Sequence, residues 1–523
     1  MSTIPLEKYP GLPSLFLDFA RGGSRFHPDP PTIDAAVARG KELLARRDAH
    51  RLPSSAFRYR APAGRRAADD LASGRAVAVL TGHQVGFLTG PLFTFVKSLD
   101  AVAFAREISR RGVPAVPVFW ALTDDHDLEE IAKTAKPGPE GPVRFVLEGA
   151  DRSNRAPVGK LPIPEGVGRI LEAFRADARG PDATSVIDAF ANRYAAGRTY
   201  GEAFVETLFD LLGDDPLLVL DPLSPDVLDA ARRIFLSAAG NRDGIARALE
   251  SGAEAVERSG HRPPVEYRTE LFPFFTIEDG VRRRVHADEI DGAVERVESG
   301  RARVSADVLT RPVLKSVVLP AALSVLGPSE IAYHAQSLPL FPLFDAPRPV
   351  LVPRTLIVLR GPAERRAQEA LGVRDEDLLT PGAAKGAVEA PQAERVEEIL
   401  RRFERELASL SEELAGLDPT LVGALETARR KSAYQLEQLT ERIRKAAERK
   451  DEVAMQRRKR VETMVLPGGD AAERVYPPLV FLLAWGSGVL DTLRRAAGRG
   501  VSDVTIIDVE TAAGAEARRI RAG

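Results

Sequence analysis

Ala76-Val77-Ala78-Val79-Leu80-Thr81-Gly82-His83-Gln84-Val85-Gly86-Phe87-Leu88-Thr89-Gly90-Pro91 is the stretch on which the fold turns. Its opening, Ala76 to Leu80, is a short apolar run bounded by turn-forming residues, the pattern of a buried parallel strand. Thr81 to Pro91 reads as a glycine-punctuated loop. Phe93, Val96, Leu99, Val102 and Ala103 then recur at spacings of three and four, which predicts a helix from Leu92 to about Arg111. Pro91 sits near its start, where a missing N–H costs little, and Gly112 just past its end. A second apolar run, Val113 to Leu122, leads into Thr123-Asp124-Asp125-His126-Asp127. The whole reads as strand, loop, helix, strand and acidic loop, one βαβ unit. Ligands of such units bind beyond the carboxyl ends of the strands, so Gln84 and His126 are expected to face one pocket.

Composition narrows the function classes. At 523 residues the chain exceeds one ordinary core, and two or three domains are expected. Lys+Arg is 73 against Asp+Glu 75, a balance that gives no reason to expect nucleic acid or an anionic membrane as partner. No apolar run reaches the length of a membrane span, and Met1 to Pro13 shows no signal peptide, so a cytoplasmic location is expected. There is no cysteine, which excludes disulfides, thiolate ligands and a cysteine nucleophile. The seven histidines are scattered, against a multi-histidine zinc site.

Outward from the central unit, residues 1–75 read as a helical lead-in, with helical periodicity from Ile33 to Leu52. Pro137 to Pro164 reads as loop with a short strand, Val143 to Leu147. Leu217 to Pro222 repeats the strand-then-polar-turn syntax between helical stretches. Tyr267 to Phe275 and Val281 to His286 form an expected hairpin around Glu278-Asp279-Gly280, within an insertion at about 230–305. Leu309-Thr310-Arg311-Pro312 leads into an apolar segment ending at Gly327-Pro328, after which a helix start places Glu330 and Tyr333 near a ligand; Val350 to Arg354 gives a further strand. From Ala390 to Thr463 the texture changes. Val396, Ile399, Phe403, Leu407, Leu410, Leu414 and Leu417 trace a heptad seam, broken by Asp418-Pro419 and resumed from Leu421. The second run, as one helix, would be roughly 65 Å long. So narrow a stripe predicts an antiparallel helical hairpin that pairs with a partner, most simply its own copy, the alternative being a solvated arm that docks another protein.

Two segments carry candidate chemistry. Glycines after a strand and before a helix suit an anion cradle, although the loop is neither Walker A nor G-x-G-x-x-G; tight turning alone would account for Gly82, Gly86 and Gly90 but not for His83-Gln84. Lys97 lies near the first turns of the helix, within reach of an anion or of solvent. Asp124, Asp125 and Asp127 around His126 are expected to raise its pKa from about 6.5, which suits a general acid or base. Asp127 with Glu130 also reads as a helix cap, and a divalent cation on Asp125 and Asp127 is the minor alternative; no residue is assigned as a metal ligand.

The T-G-H-Q-x-G-x-x-T-G-P loop, together with Phe119-Trp120, Asp125-His126-Asp127-Leu128 and Glu130-Ile131, resembles the BshC family, cysteine-adding enzymes of bacillithiol biosynthesis. The similarity extends to Leu217–Pro222, to Gly327-Pro328 with Glu330-Ile331 and Tyr333, to Arg354 and to Glu473–Pro478. It implies an α/β, Rossmann-like, mostly parallel core over 1–385, an α-helical antiparallel coiled-coil arm over 386–466 that makes a homodimer, and a segment, 467–523, that packs back on the core. The implied reaction is a ligase step joining L-cysteine to the amine of glucosaminyl malate, with ATP and magnesium as the natural activator and the cofactor otherwise unassigned. His126 is then the expected proton-transfer residue, oriented by Asp125 or Asp127. Thr81, Gly82, His83, Gln84, Gly86, Thr89, Gly90, Lys97, Trp120, Glu330, Tyr333 and Arg354 are the expected substrate or nucleotide contacts. The rival readings are a nucleotide- or sugar-nucleotide-dependent transferase on the same core and a non-enzymatic coiled-coil scaffold.

Overall fold

A computed structural model describes residues 2–22, 26–27, 29–46, 51–148, 155–382, 390–418, 420–450, 452–500 and 503–510. The expected boundary at 385/386, parts of the 33–52, 137–164 and 501–509 segments, and residues 511–523 lie outside the described residues.

Six strands form the central sheet: β1 (Phe57–Arg58), β2 (Val77–Gln84), β3 (Ala115–Leu122), β4 (Leu218–Leu220), β5 (Ala321–Leu326) and β6 (Val350–Pro353). Their spatial order is β6-β5-β2-β3-β4-β1, parallel throughout except for the short edge strand β1. The chain moves outward from β2 through β3 to β4, then returns to the other side of β2 for β5 and β6. The order therefore reverses between β2 and β5, and a crevice opens there at the carboxyl ends of the strands. Strand periodicity explains the burial. Val77 and Val79 pack on one face with Leu323 and Val325, while Ala78 and Leu80 pack on the other with Val118 and Trp120. Helices cover both faces, which is why the strands read as continuous apolar runs. The helix α1 (Leu92–Arg110) returns the chain from β2 to β3.

The sheet is longer than its apolar run suggests. β2 continues through Thr81, Gly82 and His83 to Gln84, in unbroken register with Phe119 to Leu122. These four residues are strand, not loop. Gly82 permits this, because a Cβ there would stand 2.5 Å from the Trp120 carbonyl oxygen. Positive φ is needed at Gly90 (68°) and is shared by Leu88 and Thr89; Gly82 and Gly86 do not use it.

The insertion builds its own three-stranded antiparallel sheet from Leu271–Glu278, Val281–His286 and Arg303–Ala306. Asp279 and Gly280, both at positive φ, close the hairpin as a mirror-image tight turn. The 137–164 region begins with a hairpin, Lys133–Gly138 with Gly141–Val146, so pairing starts earlier than expected.

The arm is a helical hairpin of α3 (Pro391–Leu417) and α4 (Thr420–Lys450), tied across by Arg444 to Glu397 at 2.5 Å and Arg429 to Glu404 at 3.3 Å. Its second run is described as two helices, α4 and α5 (Glu452–Val465), flanking residue 451; α4 alone spans about 46 Å. Val461 and Val465 of α5 are buried with the sheet formed by Ile357–Arg360 and Val504–Asp508, so the root of the arm belongs to the core packing. Within the hairpin, Phe403, Leu407, Leu414, Leu425 and Leu436 are half-buried, whereas Ile399, Leu410, Leu417, Leu421 and Leu439 are exposed. No helix among the described residues is long and apolar enough to cross a membrane.

Candidate functional site

A cavity of about 770 Å³ occupies the crevice where the strand order reverses. His83 and Gln84 at the end of β2, Asp125 to Glu130 after β3, and Gly327 to Glu330 with Tyr333 at the start of helix α2 (Pro328–Ser337) form its floor. The inserted sheet closes one side with Phe275, Arg282 and Arg284, joined by Asp307 and Arg311. Tyr9, Phe93, Arg354 and Arg474 close the other.

At the centre, Gln84 bridges two carboxylates: its Nε2 donates to Asp125 at 3.2 Å and to Glu130 at 2.8 Å. Asp127 caps the short helix Leu128–Ile131 by accepting from the Glu130 amide at 2.9 Å. Arg282 lies flat on Phe275, 3.5 Å from the ring centroid, and donates to His126 Nδ1 at 2.7 Å and to Asp125 at 3.3 Å. Arginine has no acceptor atom, so Nδ1 must carry the lone pair and the ring proton belongs on Nε2. His126 at rest is a neutral imidazole that offers an N–H. This corrects the expected raised pKa: burial first, then the Arg282 charge, hold His126 below its ordinary value and outweigh Asp125 and Asp127. Burial alone would raise Asp125, but Arg311 and Arg282 outweigh it and keep the carboxyl below its usual range.

Glu330 anchors the floor. Lys97 Nζ donates to it at 2.6 Å and to the Gly82 carbonyl at 2.5 Å, and the Gly327 amide donates at 2.6 Å. Burial opposes ionisation, yet Lys97 and Lys315 pull Glu330 down to about 2. The Lys97 amine is buried and pins the end of β2 to the start of α2. His83, buried beside Lys97, is lowered to about 4 and packs edge-on against Phe93. Arg354 Nη1 donates to both carboxylate oxygens of Glu473, at 2.8 and 2.9 Å, and its Nη2 lies 3.4 Å from the Tyr9 hydroxyl.

Of the expected contacts, His83, Gln84, Glu330, Tyr333 and Arg354 line the cavity with Asp125, His126 and Asp127. Thr81, Gly82, Gly86, Thr89, Gly90, Lys97 and Trp120 do not. Thr81 donates to the Val325 carbonyl at 3.0 Å, tying β2 to β5. Gly86 and Gly90 are pressed together, so that a Cβ on Gly86 would stand 2.9 Å from the Gly90 Cα. The Thr89 amide donates to the Tyr194 hydroxyl at 2.7 Å. Trp120 is buried beneath the sheet with the Lys315 amine 5.6 Å from its ring. The glycine-rich turn is packed shut and offers no open cradle to an anion.

The cavity's arginines are mostly absent from the sequence reading. Arg282 and Arg284 stand on one face of an inserted strand, and the signal that the sequence reading passed over is the Arg-Arg-Arg run at 282–284, in which a strand turns alternate residues inward. Arg155, Tyr9 and Arg474 come from segments without a periodic cue. Among the described residues no group of three or more His, Asp or Glu side chains is arranged to hold a metal ion.

Known proteins give the site a lineage. Residues 51–355 match the family model described as the bacillithiol biosynthesis BshC N-terminal Rossmann-like domain, and residues 377–508 match the BshC C-terminal coiled-coil domain. A protein of Solibacter usitatus named "Putative cysteine ligase BshC" is 30% identical over 437 residues, covering 80% of this chain and 81% of its own. Proteins of the same name from Koribacter versatilis (27% over 440 residues, 81% and 82% covered) and Heliobacterium modesticaldum (29% over 474 residues, 82% and 83% covered) are similar along the same span. The matches run through the reversing sheet, the charged crevice and the helical arm alike, and the chain belongs to the BshC family of bacillithiol biosynthesis.

Proposed function

We propose that this chain is a ligase that joins the carboxyl group of L-cysteine to the amine of glucosaminyl malate, in the cytoplasm, with release of water overall. The observation that carries the reading is the crevice itself, which sets an acid rim beside a guanidinium-held imidazole where the strand order reverses. The rim of Asp125, Asp127 and Glu130 suits the ammonium of the amino sugar. For attack on the cysteinyl carbonyl that ammonium must lose a proton, and a rim carboxylate takes it and passes it to solvent. His126 presents Nε2–H and stabilises charge on the carbonyl oxygen as the tetrahedral adduct forms, and the adduct collapses to the amide by breaking the C–O bond to the other carboxyl oxygen, which leaves with the group that activated it. Arg282 fixes the tautomer that makes this donor available, and Asp125 holds Arg282 in place.

Amide formation from a free carboxylate needs activation. The buried glycine-rich turn does not fit a nucleotide, so no nucleotide step is assigned to it. Incubation of the purified protein with glucosaminyl malate and L-cysteine, with and without ATP and magnesium, tests the reaction by mass spectrometry. A product at the summed mass less one water is expected. Its absence in every condition, with folded protein and verified substrates, overturns the reading.

The same proposal includes a homodimer through the arm. The hairpin covers one apolar stripe and leaves Ile399, Leu410, Leu417 and Leu439 to solvent, a seam that suits an identical copy. Light scattering should give twice the chain mass, and L410E with L439E should return it to one; a monomeric wild type rejects this part.

A further inference from the structure

We infer that Ser305 and Phe275 are positioning residues of the ligase step: they hold Arg282 by its edge and by its face, and through it decide which nitrogen of His126 carries the proton. The inference deepens the oxyanion-donor role given to His126 above and rests on it.

Arg282 is 2% exposed, and a guanidinium taken out of water must find acceptors in the protein. Every nitrogen of its fork is engaged. Nε donates to Ser305 Oγ at 3.2 Å, Nη1 to His126 Nδ1 at 2.7 Å and to Asp125 at 3.3 Å, and Nη2 to the Ala306 carbonyl at 3.4 Å. The donor inventory fixes the direction of these bonds. Arginine only donates, so Ser305 Oγ accepts from it, and the one hydroxyl proton goes to Asp124 Oδ2 at 2.6 Å. A single chain of bonds therefore runs from Asp124 through Ser305 and Arg282 to His126, and ends at Nε2–H in the cavity. It leaves the loop after β3 at Asp124, crosses the inserted strands Arg303–Ala306 and Val281–His286, and returns to the same loop at His126. Asp124 and Ser305 are buried with Arg282, and Ser305 does not line the cavity. Its hydroxyl acts on the site through Arg282.

Phe275 fixes the remaining freedom, the tilt of the guanidinium plane. It lies on the middle inserted strand, opposite Ser305 on one side and Arg284 on the other. Its ring centroid is 3.5 Å from Cζ of Arg282, 4.2 Å from Cζ of Arg284 and 5.7 Å from the centroid of the His126 ring. The ring attracts both cations and keeps water off the face of Arg282. The charged groups that face His126 are Arg282, Asp125, Arg155 and Asp127; burial first, then Arg282, hold it below its ordinary value. Removing the hydroxyl or the ring lets water reach Arg282 and weakens both causes, so the His126 midpoint rises toward about 6.5.

Heteronuclear NMR of protein carrying isotope-labelled histidine, with H126Q to assign the His126 signals, reads the tautomer and its titration without any substrate. Wild type should show one tautomer, Nε2–H, near neutral pH. S305A and F275L should show both tautomers and a midpoint above that of wild type. S305T and F275Y, which keep the hydroxyl and the ring, should stay close to wild type. In the ligase assay S305A should lower kcat about tenfold with KM for both substrates unchanged, and the acid limb of its pH profile should move up with the NMR midpoint. Folded S305A and F275L that keep the wild-type tautomer and midpoint overturn the inference, as does a wild type with the proton on Nδ1. A wild type without ligase activity, whose variants still change tautomer, overturns the ligase reading and leaves the positioning of His126 standing. Thermal melts establish folding, and F275L carries the comparison if S305A does not fold.

Discussion

The packed backing of the crevice and its inserted wall are built on opposite principles. On the β2–α1 side, glycines let backbone approach backbone, and nearly every polar group is spent inside the protein: Thr81 on a carbonyl of β5, Lys97 on Glu330, the Thr89 amide on Tyr194. On the inserted-sheet side, arginines are stacked on Phe275 and turned toward the cavity. One wall supplies rigidity at the point where the strand order reverses. The other supplies charge. A site that must hold a small polar substrate against water needs both, and here they come from segments nearly two hundred residues apart.

The sharpest way to break this contrast is Arg282→Ala. It should strip His126 and Asp125 of their shared donor and leave Asp125 to Gln84 and Arg311, at a cost of about 1–3 kcal/mol in urea unfolding, with ligase activity lost. A variant of wild-type stability would show that the inserted wall is not an integral part of the site. Next in size is His126→Ala, expected to lower kcat by about 10² to 10³ as an oxyanion donor is removed, with His126→Gln recovering part of it. The accompanying pH profile has a definite sign. Because His126 lies below its ordinary pKa, the neutral ring persists as pH falls through about 6.5, and activity should decline only at lower pH. A decline already near neutrality would mean that the carboxylates dominate after all. The rigid wall should respond in stability rather than in binding. Gly82→Ala forces a Cβ against the Trp120 carbonyl and should cost about 1–3 kcal/mol, with KM for both substrates unchanged in the folded fraction. Thr81→Val, the mildest, should cost about 1 kcal/mol by leaving the Val325 carbonyl without its side-chain donor. A KM change in either of these last two would show that the wall touches ligand.

Much of the architecture was legible in residue order. The βαβ unit, the reuse of strand-then-turn syntax at Leu218–Leu220, and the heptads of α3 are all periodic signals, and periodicity survives without tertiary knowledge. His83, Gln84 and the Asp125–Asp127 cluster reach the cavity because they follow strands whose ends define it. The reading failed where a residue type has two physical uses. Glycine serves close packing as readily as phosphate binding, and at 82, 86 and 90 packing prevails. Carboxylates raise a histidine's pKa only where the ring stays solvated and no cation comes close, and here burial, then Arg282 from 156 positions away, prevail. Arg155, Arg284, Arg311 and Arg474 meet through topology alone, so no spacing in the sequence could join them.

The wall opposite the insertion carries a temporal consequence. Tyr9 and Arg354 share a bond network with Glu473, and Thr3–Ile4 pair with Val504–Thr505. During synthesis the first strand and the cavity's outer wall therefore wait, unpaired, until nearly five hundred residues have left the ribosome. The nascent chain can form its central sheet and even its arm early, but the crevice stays open on one side until Glu473 is made, with about a tenth of the chain still to come. Removal of Thr3–Ile4 or of the Val504–Asp508 strand would thus be felt at the substrate pocket.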